Sequence, residues 1–260
     1  DGTALAGEDY ETRSAEVTFE AGSTSAHFSV PVIDDATDES PETFVVRVED
    51  VVTGSVNDFG DTGTTTISDN DPAPDVTIGD AVQTEGGALV FDVTLSNPSS
   101  GDIVLDLGVS DGTATGGSDY ETTSFRYSTD GGTTWINATS GSRVTIPAGQ
   151  TAIQVEIDSL TDTTDEPDET FTLQVDSVVS GTVGDTSDTG TGTITDDDAP
   201  DVFIDDVTAA EGDALVFTVT LSTPTYETIH IDLTPTGVTA TGGADYAGGT
   251  VTATFAPGDT

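Results

Sequence analysis

Cysteine, methionine and lysine are absent from this chain of 260 residues, and tryptophan occurs once. Without cysteine there is no disulfide framework, no thiol chemistry, and no redox compartment to be read from the composition. Four arginines stand against 49 acidic residues, a formal charge of −45. That sign excludes nucleic acid and anionic membranes as partners, because both require a positive footprint. No apolar run approaches the ~18 residues of a membrane-crossing helix, so membrane insertion is not expected. The two histidines, His27 and His230, lie alone in strand-like runs with no serine or cysteine nucleophile beside them. P-loop and EF-hand spacings are missing, and nothing in the sequence builds a substrate cleft. The chain is not expected to be an enzyme.

What is present is strand material. Apolar residues make up 33% of the chain and glycine supplies 29 positions, close enough to a globular share to argue against disorder. Leu89, Phe91, Val93 and Leu95 alternate with Val90, Asp92, Thr94 and Ser96, the period of a strand buried on one face. Ile153-Val155-Ile157 and Phe171-Leu173-Val175 repeat that alternation. About seven short strands per unit, separated by Gly, Pro and Asn turns, predict an all-β fold of antiparallel, immunoglobulin-like sandwiches.

The acidic residues are not spread evenly. Asp34-Asp35-Ala36-Thr37-Asp38-Glu39-Ser40-Pro41-Glu42-Thr43-Phe44 recurs 127 residues later as Thr161-Asp162-Thr163-Thr164-Asp165-Glu166-Pro167-Asp168-Glu169-Thr170-Phe171. Asp69-Asn70-Asp71 recurs at the same offset as Asp196-Asp197-Asp198. Ala73-Pro74-Asp75-Val76 recurs as Ala199-Pro200-Asp201-Val202, and the Asp-Tyr loop appears three times, at Tyr10, Tyr120 and Tyr246. The chain therefore reads as the back part of one module (1–71), a whole module (72–198) and the front part of a third (199–260). The offset steps from 110 at Tyr10/Tyr120 to 127 at Val17/Val144, so the second module carries an insertion of 17 residues at about 124–141. Asp1 falls inside a repeat, which reads as a segment of something longer, with broken modules completed by neighbouring chain.

In a sandwich the loops gather at two poles. One pole of the second module should collect Glu85, Asp119, Asp162, Glu166, Glu169, Asp196, Asp197 and Asp198. Two carboxylates ~5 Å apart repel by ~3 kcal/mol at an effective dielectric near 20. Eight of them would exceed the ~5–15 kcal/mol by which a domain is stable. They must splay, take up protons or bind cations. Calcium, with six to eight oxygen ligands and tolerant geometry, suits such a cluster better than octahedral magnesium. Salt adaptation explains an acidic coat but not acids repeated at module corners.

Thr84-Glu85-Gly86, the Asp111-to-Tyr120 string, Val144-Thr145-Ile146-Pro147-Ala148-Gly149-Gln150-Thr151, Thr164-to-Phe171 and Thr193-to-Asp198 occur in that order. This ordered set resembles the Calx-beta domain, and the resemblance covers essentially the whole chain. It implies an immunoglobulin-like sandwich that binds Ca2+ through the eight acids just named. In the first module the corresponding ligands are Asp9, Asp34, Asp35, Glu39, Glu42, Asp69 and Asp71, and in the third they are Glu211 and Asp245. Thr161 in place of Asp34, and Asn70 in place of Asp197, each remove one charge.

The insertion holds Ser128-Thr129-Asp130-Gly131-Gly132-Thr133-Thr134-Trp135, an Asp-box pattern whose ordinary role is to close a hairpin. The function expected from all this is a calcium-binding structural segment of a long extracellular or cell-surface fibre or adhesin stalk, with calcium stiffening the module junctions. The alternative is an adhesive module that contacts a glycan or partner protein, through the Asp-box hairpin. The expected partners are neighbouring repeats of the same protein, including self-assembly into filaments by mutual completion of sheets.

Overall fold

The computed structural model describes residues 2–139 and 143–260. Asp1, and Ser140 and Gly141 at the end of the expected insertion, lie outside the described residues.

The elements are all strands, in the order β1 (Glu42–Arg47), β2 (Thr62–Ile67), β3 (Val76–Ile78), β4 (Ala81–Thr84), β5 (Ala88–Leu95), β6 (Ile103–Asp111), β7 (Ser124–Ser128), β8 (Ile136–Thr139), β9 (Arg143–Ile146), β10 (Ala152–Asp158), β11 (Glu169–Ser180), β12 (Thr189–Thr195), β13 (Val202–Ile204), β14 (Val219–Leu221), β15 (Ile229–Leu233) and β16 (Val251–Phe255). Strands β3 to β12 form two five-stranded sheets, ordered β3-β5-β10-β7-β8 and β4-β12-β11-β6-β9.

The inner faces are the alternating positions of the sequence. Leu89, Phe91 and Val93 of β5 and Ile153, Val155 and Ile157 of β10 come from one sheet. They meet Leu105 and Leu107 of β6 and Phe171 and Leu173 of β11 from the other. Each fully buried side chain of this size contributes about 1.5–3 kcal/mol, so a dozen of them make this unit the stable heart of the chain. Gly192 in β12 is part of the packing, because a Cβ there would stand 2.7 Å from the Phe171 ring.

Two features refine the expected sandwich. β4 runs parallel to β12, with Thr84 opposite Thr195, so the sandwich is not wholly antiparallel. The insertion adds a hairpin, β7–β8, to the edge of the first sheet: Tyr127 pairs with Val155 on one side and with Ile136 on the other. Its Asp-box is satisfied internally. Asp130 accepts from the Thr134 amide at 2.8 Å, and the Gly132 amide donates to the Ser128 hydroxyl at 2.9 Å. Trp135 lies under the Arg126 guanidinium, 5.6 Å from its ring centre, and Arg126 pairs with the buried carboxylate of Glu156.

On either side, pairing is sparser. β1 pairs with β2, β13 with β14 and β15 with β16, each as a two-stranded ribbon. Residues 2–71 keep a small core of Ala4, Tyr10 and Phe44. Tyr10 stacks on Phe44 at 4.3 Å, as Tyr120 stacks on Phe171 at 4.2 Å.

Candidate metal centres

The parallel β4–β12 pair explains how distant acids meet. Both strands run toward the same pole, so the residues that follow them leave the sheet side by side. Glu85, just after β4, donates its amide to the Thr195 carbonyl at 3.0 Å, and Asp196 to Asp198 follow Thr195 directly. The sequence alone suggests that Glu85 follows the first strand of its module. It follows the second, β4, and that extra strand brings it to the terminal acids.

Two acidic triads form at this pole. Carboxylate oxygens of Glu85, Asp162 and Asp198 lie within 4.8 Å of one another, and so do those of Asp119, Glu166 and Glu169. Asp119 is held by its own loop, where its Oδ2 accepts from the Thr115 amide at 2.6 Å. The loop turns on Gly117 at φ 86°, a left-handed conformation that a side chain would resist. The next residue, Tyr120, is the buried ring stacked on Phe171, and its hydroxyl donates to Asp111 at 2.5 Å. Glu169 opens β11 two residues before Phe171. One aromatic stack thus anchors two ligand positions from separate loops.

The electrostatics join the triads into one field. Loss of hydration, the hydrogen bond with Asp198 and the Asp198, Asp162 and Asp196 charges push the Glu85 carboxyl up to about 8. Loss of hydration, with a hydrogen bond and charge from Asp119, raises Glu169 to about 7. Glu166 is raised by loss of hydration and by Asp162, Asp119 and Asp196. Asp196 is raised mainly by loss of hydration, and the charges of Asp165 and Asp198 add to this. Asp196 belongs to neither triad but acts on both. Asp197 points to solvent and joins no triad among the described residues.

The first unit repeats the plan. Asp9, Glu39 and Glu42 form a third triad in a cleft of about 90 Å³, also lined by Asp34, Asp35, Asp69 and Asp71. Asp9 is held as Asp119 is, its Oδ2 accepting from the Leu5 amide at 2.6 Å. Asp35 and Asp162 take matching turns, accepting at 2.7 Å from the amides of Thr37 and Thr164. A hydrogen bond to Asp9, followed by loss of hydration and neighbouring charge, raises Glu42 to about 7. Glu39 and Asp71 are raised chiefly by loss of hydration and then by surrounding carboxylates.

The departures noted in the sequence compensate each other. Asn70 donates its side-chain amide to Asp34 at 3.1 Å. Their counterparts are Asp197 and Thr161, so each unit places one carboxylate, not two, in that pair of positions. In the third unit Asp245 accepts from the Thr241 amide at 2.7 Å in the same loop. Among the described residues neither Asp245 nor Glu211 is gathered with other acids.

The donor set suits a hard divalent cation. Every candidate ligand is a carboxylate, and the ion pairs of the described residues (Arg47–Glu49, Arg126–Glu156 and Arg143–Asp106) involve none of them. Glu42 Oε2, Glu85 Oε1 and Asp198 Oδ2 are buried with no N–H or hydroxyl donor beside them. A proton shared between carboxyl groups is all that pairs Glu85 with Asp198 and Glu42 with Asp9, and a bound cation would take that proton's place.

A tandem all-β chain whose sandwich poles carry such acid clusters is a repeat protein with a cation-site architecture. The Calx-beta domain family model matches residues 1–73, 80–198 and 195–260, and the chain belongs to that family. Similar solved structures include the apo form of the Calx CBD1 domain, 20% identical over 49% of this chain and all of that one, with a TM-score of 0.38. The calcium binding domain CBD12 of CALX1.1 is 18% identical over 71% of each chain, TM-score 0.39. CBD12 from CALX1.2 is 17% identical over 71% of this chain and 72% of that one, TM-score 0.38. No curated protein matches the chain.

Proposed function

We propose that the chain is a calcium-binding structural array, a segment of an extracellular or cell-surface fibre or adhesin stalk in which bound Ca2+ neutralises each acidic pole and stiffens the joint to the next module. The observation that carries this reading is the set of buried oxygens on Glu42, Glu85 and Asp198 that no N–H or hydroxyl donor reaches, inside triads that contain no basic residue. Glu85, Asp162 and Asp198 would hold one ion, Asp119, Glu166 and Glu169 a second, and Asp9, Glu39 and Glu42 another in the first unit. Asp196, and its counterpart Asp69, would lend charge from between. The ion supplies positive charge where carboxylates otherwise repel or keep protons. Extracellular modules bind calcium at ~10⁻⁴–10⁻³ M, a range met outside cells rather than in cytosol.

Titration calorimetry of the full chain with Ca2+, and with Mg2+ as the control, tests this. Calcium is expected to bind with release of protons from Glu42, Glu85 and Glu169 near pH 7, so the heat should vary with the ionisation enthalpy of the buffer. Absence of calcium heat at millimolar concentration in every buffer would refute the reading.

A further inference from the structure

The acidic loop of each module touches the module that follows, and it does so on the same turn. In the first joint Asp38 forms a bridge with Ser99. Its amide donates to the Pro98 carbonyl at 3.0 Å, and its carbonyl accepts from the Ser100 amide at 3.0 Å and the Ser100 hydroxyl at 3.2 Å. In the second joint the equivalent residue, Asp165, meets the equivalent turn, where its Oδ2 accepts from the Tyr226 amide at 3.1 Å. Tyr226 stands where Ser100 stands, one repeat later.

The receiving turn is built for the purpose in both modules. Ser99 and Thr225, at its centre, are buried. Their carbonyls accept from the amides of Gly149 and Gly258 in the neighbouring hairpin turn, at 2.9 and 2.8 Å. The turn is thus braced from behind by its own module.

The two joints differ in which atoms hold them. The first is a main-chain contact; beside it Asn97 donates its side-chain amide to the Pro72 carbonyl at 2.9 Å, tying the start of its own module to the turn. At the second, the contact is the Asp165 carboxylate. Thr223 replaces Asn97, and its buried hydroxyl has no partner. The charges of both Asp165 and Asp38 bear on the pole of their own unit, on Asp196 and Asp71 respectively, so the joints are distinguished by their contact atoms.

From this geometry we infer that Asp165 is a positioning residue that latches the third module to the second. The Asp165 carboxylate seats on the turn at Thr225-Tyr226-Glu227, whereas the first joint is held by the main-chain atoms of Asp38. The latch does not depend on the cation reading above. Asp165 is not among the three acid triads, so it is a joint residue rather than an expected ligand.

The absence of cysteine permits a clean test on the full chain. Spin labels on S180C and T208C report the distance across the second joint, and labels on T64C and S180C report it across the first. With calcium, wild type should give a narrow distribution at both joints. Asp165→Ala should lose the narrow component at the second joint and keep it at the first. Asp38→Ala, which preserves the main-chain contact, should leave the first joint narrow. Asp165→Asn, which retains an acceptor for the Tyr226 amide, should keep the second joint narrow. A second joint as narrow in Asp165→Ala as in wild type, or a first joint that Asp38→Ala loosens equally, would overturn the inference. Calcium calorimetry on the same samples separates the two claims. Wild type that binds no calcium removes the cation reading, while the Asp165→Ala comparison still decides the latch.

Discussion

Residues 76–78 and 202–204 read Val-Thr-Ile and Val-Phe-Ile, one repeat apart, and form the same short strand against the same partner positions. In the second module Val76 and Ile78 are 2% and 5% exposed, whereas in the third Val202 and Ile204 are 48% and 56% exposed. Local sequence sets the strand, but burial requires the opposite sheet, which in the second module comes from β11, β12 and β6. The acids behave the same way. Glu85 and Asp119 enter triads because the loop before β11 and the segment after β12 bring the other four carboxylates to them. Glu211 and Asp245 have the same local frames without those contributors. The site is therefore a property of module closure, not of any one motif.

The largest expected effect comes from paired core substitutions. Phe91→Ala should cost ~3–5 kcal/mol, because its ring lies in the sealed core against Phe171 at 5.9 Å. Phe217→Ala, one repeat later and exposed, should fall within ~0.5 kcal/mol of wild type. Urea melts of both variants check this, and equal losses would erase the contrast between modules.

Ligand substitutions follow. Glu85→Gln should remove one calcium-binding event from the calorimetric isotherm, and Glu211→Gln should remove none. A site held at a hundredfold above its Kd contributes about 2.7 kcal/mol, so Glu85→Gln should also lower the melting temperature in calcium by several degrees.

The pH dependence sharpens the comparison further. Glu85, at about 8 against an ordinary 4.5, keeps its proton in the folded state over a range where the unfolded chain has lost it. A raised carboxyl of this kind stabilises below the unfolded value and loses that contribution as the pH climbs through the folded value. Calcium-free protein should therefore melt at progressively lower temperature from about pH 4.5 to pH 8, with Glu42 and Glu169 adding to the trend up to about 7. Calcium should flatten or reverse the slope. Melting curves at fixed ionic strength across that range decide it.

The smallest contrast lies within one triplet. Asp197→Asn should leave calcium affinity unchanged, since that side chain faces solvent and joins no triad among the described residues. Asp196→Asn should weaken it, because Asp196 acts on both Glu85 and Glu166.

Much of this could be read from residue order. The alternation of Leu89, Phe91, Val93 and Leu95 gave the buried face of β5, and the repeated acidic strings contain Glu39, Glu42, Asp162, Glu166, Glu169 and Asp198, whereas Glu85, Asp119 and Asp9 lie outside them, in separate loops. Other parts were hidden for physical reasons. β4 is four residues long and held by main-chain bonds to β12, so Ala81-Val82-Gln83-Thr84 carries no periodicity long enough to declare a parallel strand. The outward turn of Asp197 follows from alternation along an extended triplet, which three adjacent acids do not reveal. The joint at Asp38 uses amides and carbonyls, which leave no mark on side-chain identity. Asp165 was visible only as one more acid in a string.

Thermal melting and small-angle scattering of the full chain, with millimolar Ca2+ and then with chelator at matched ionic strength, bear most directly on the claim that metal closes the acidic poles. Chelation is expected to lower the melting temperature and shorten the largest molecular dimension, and sodium chloride of equal ionic strength to restore neither. Identical melting and extension before and after chelation would contradict it.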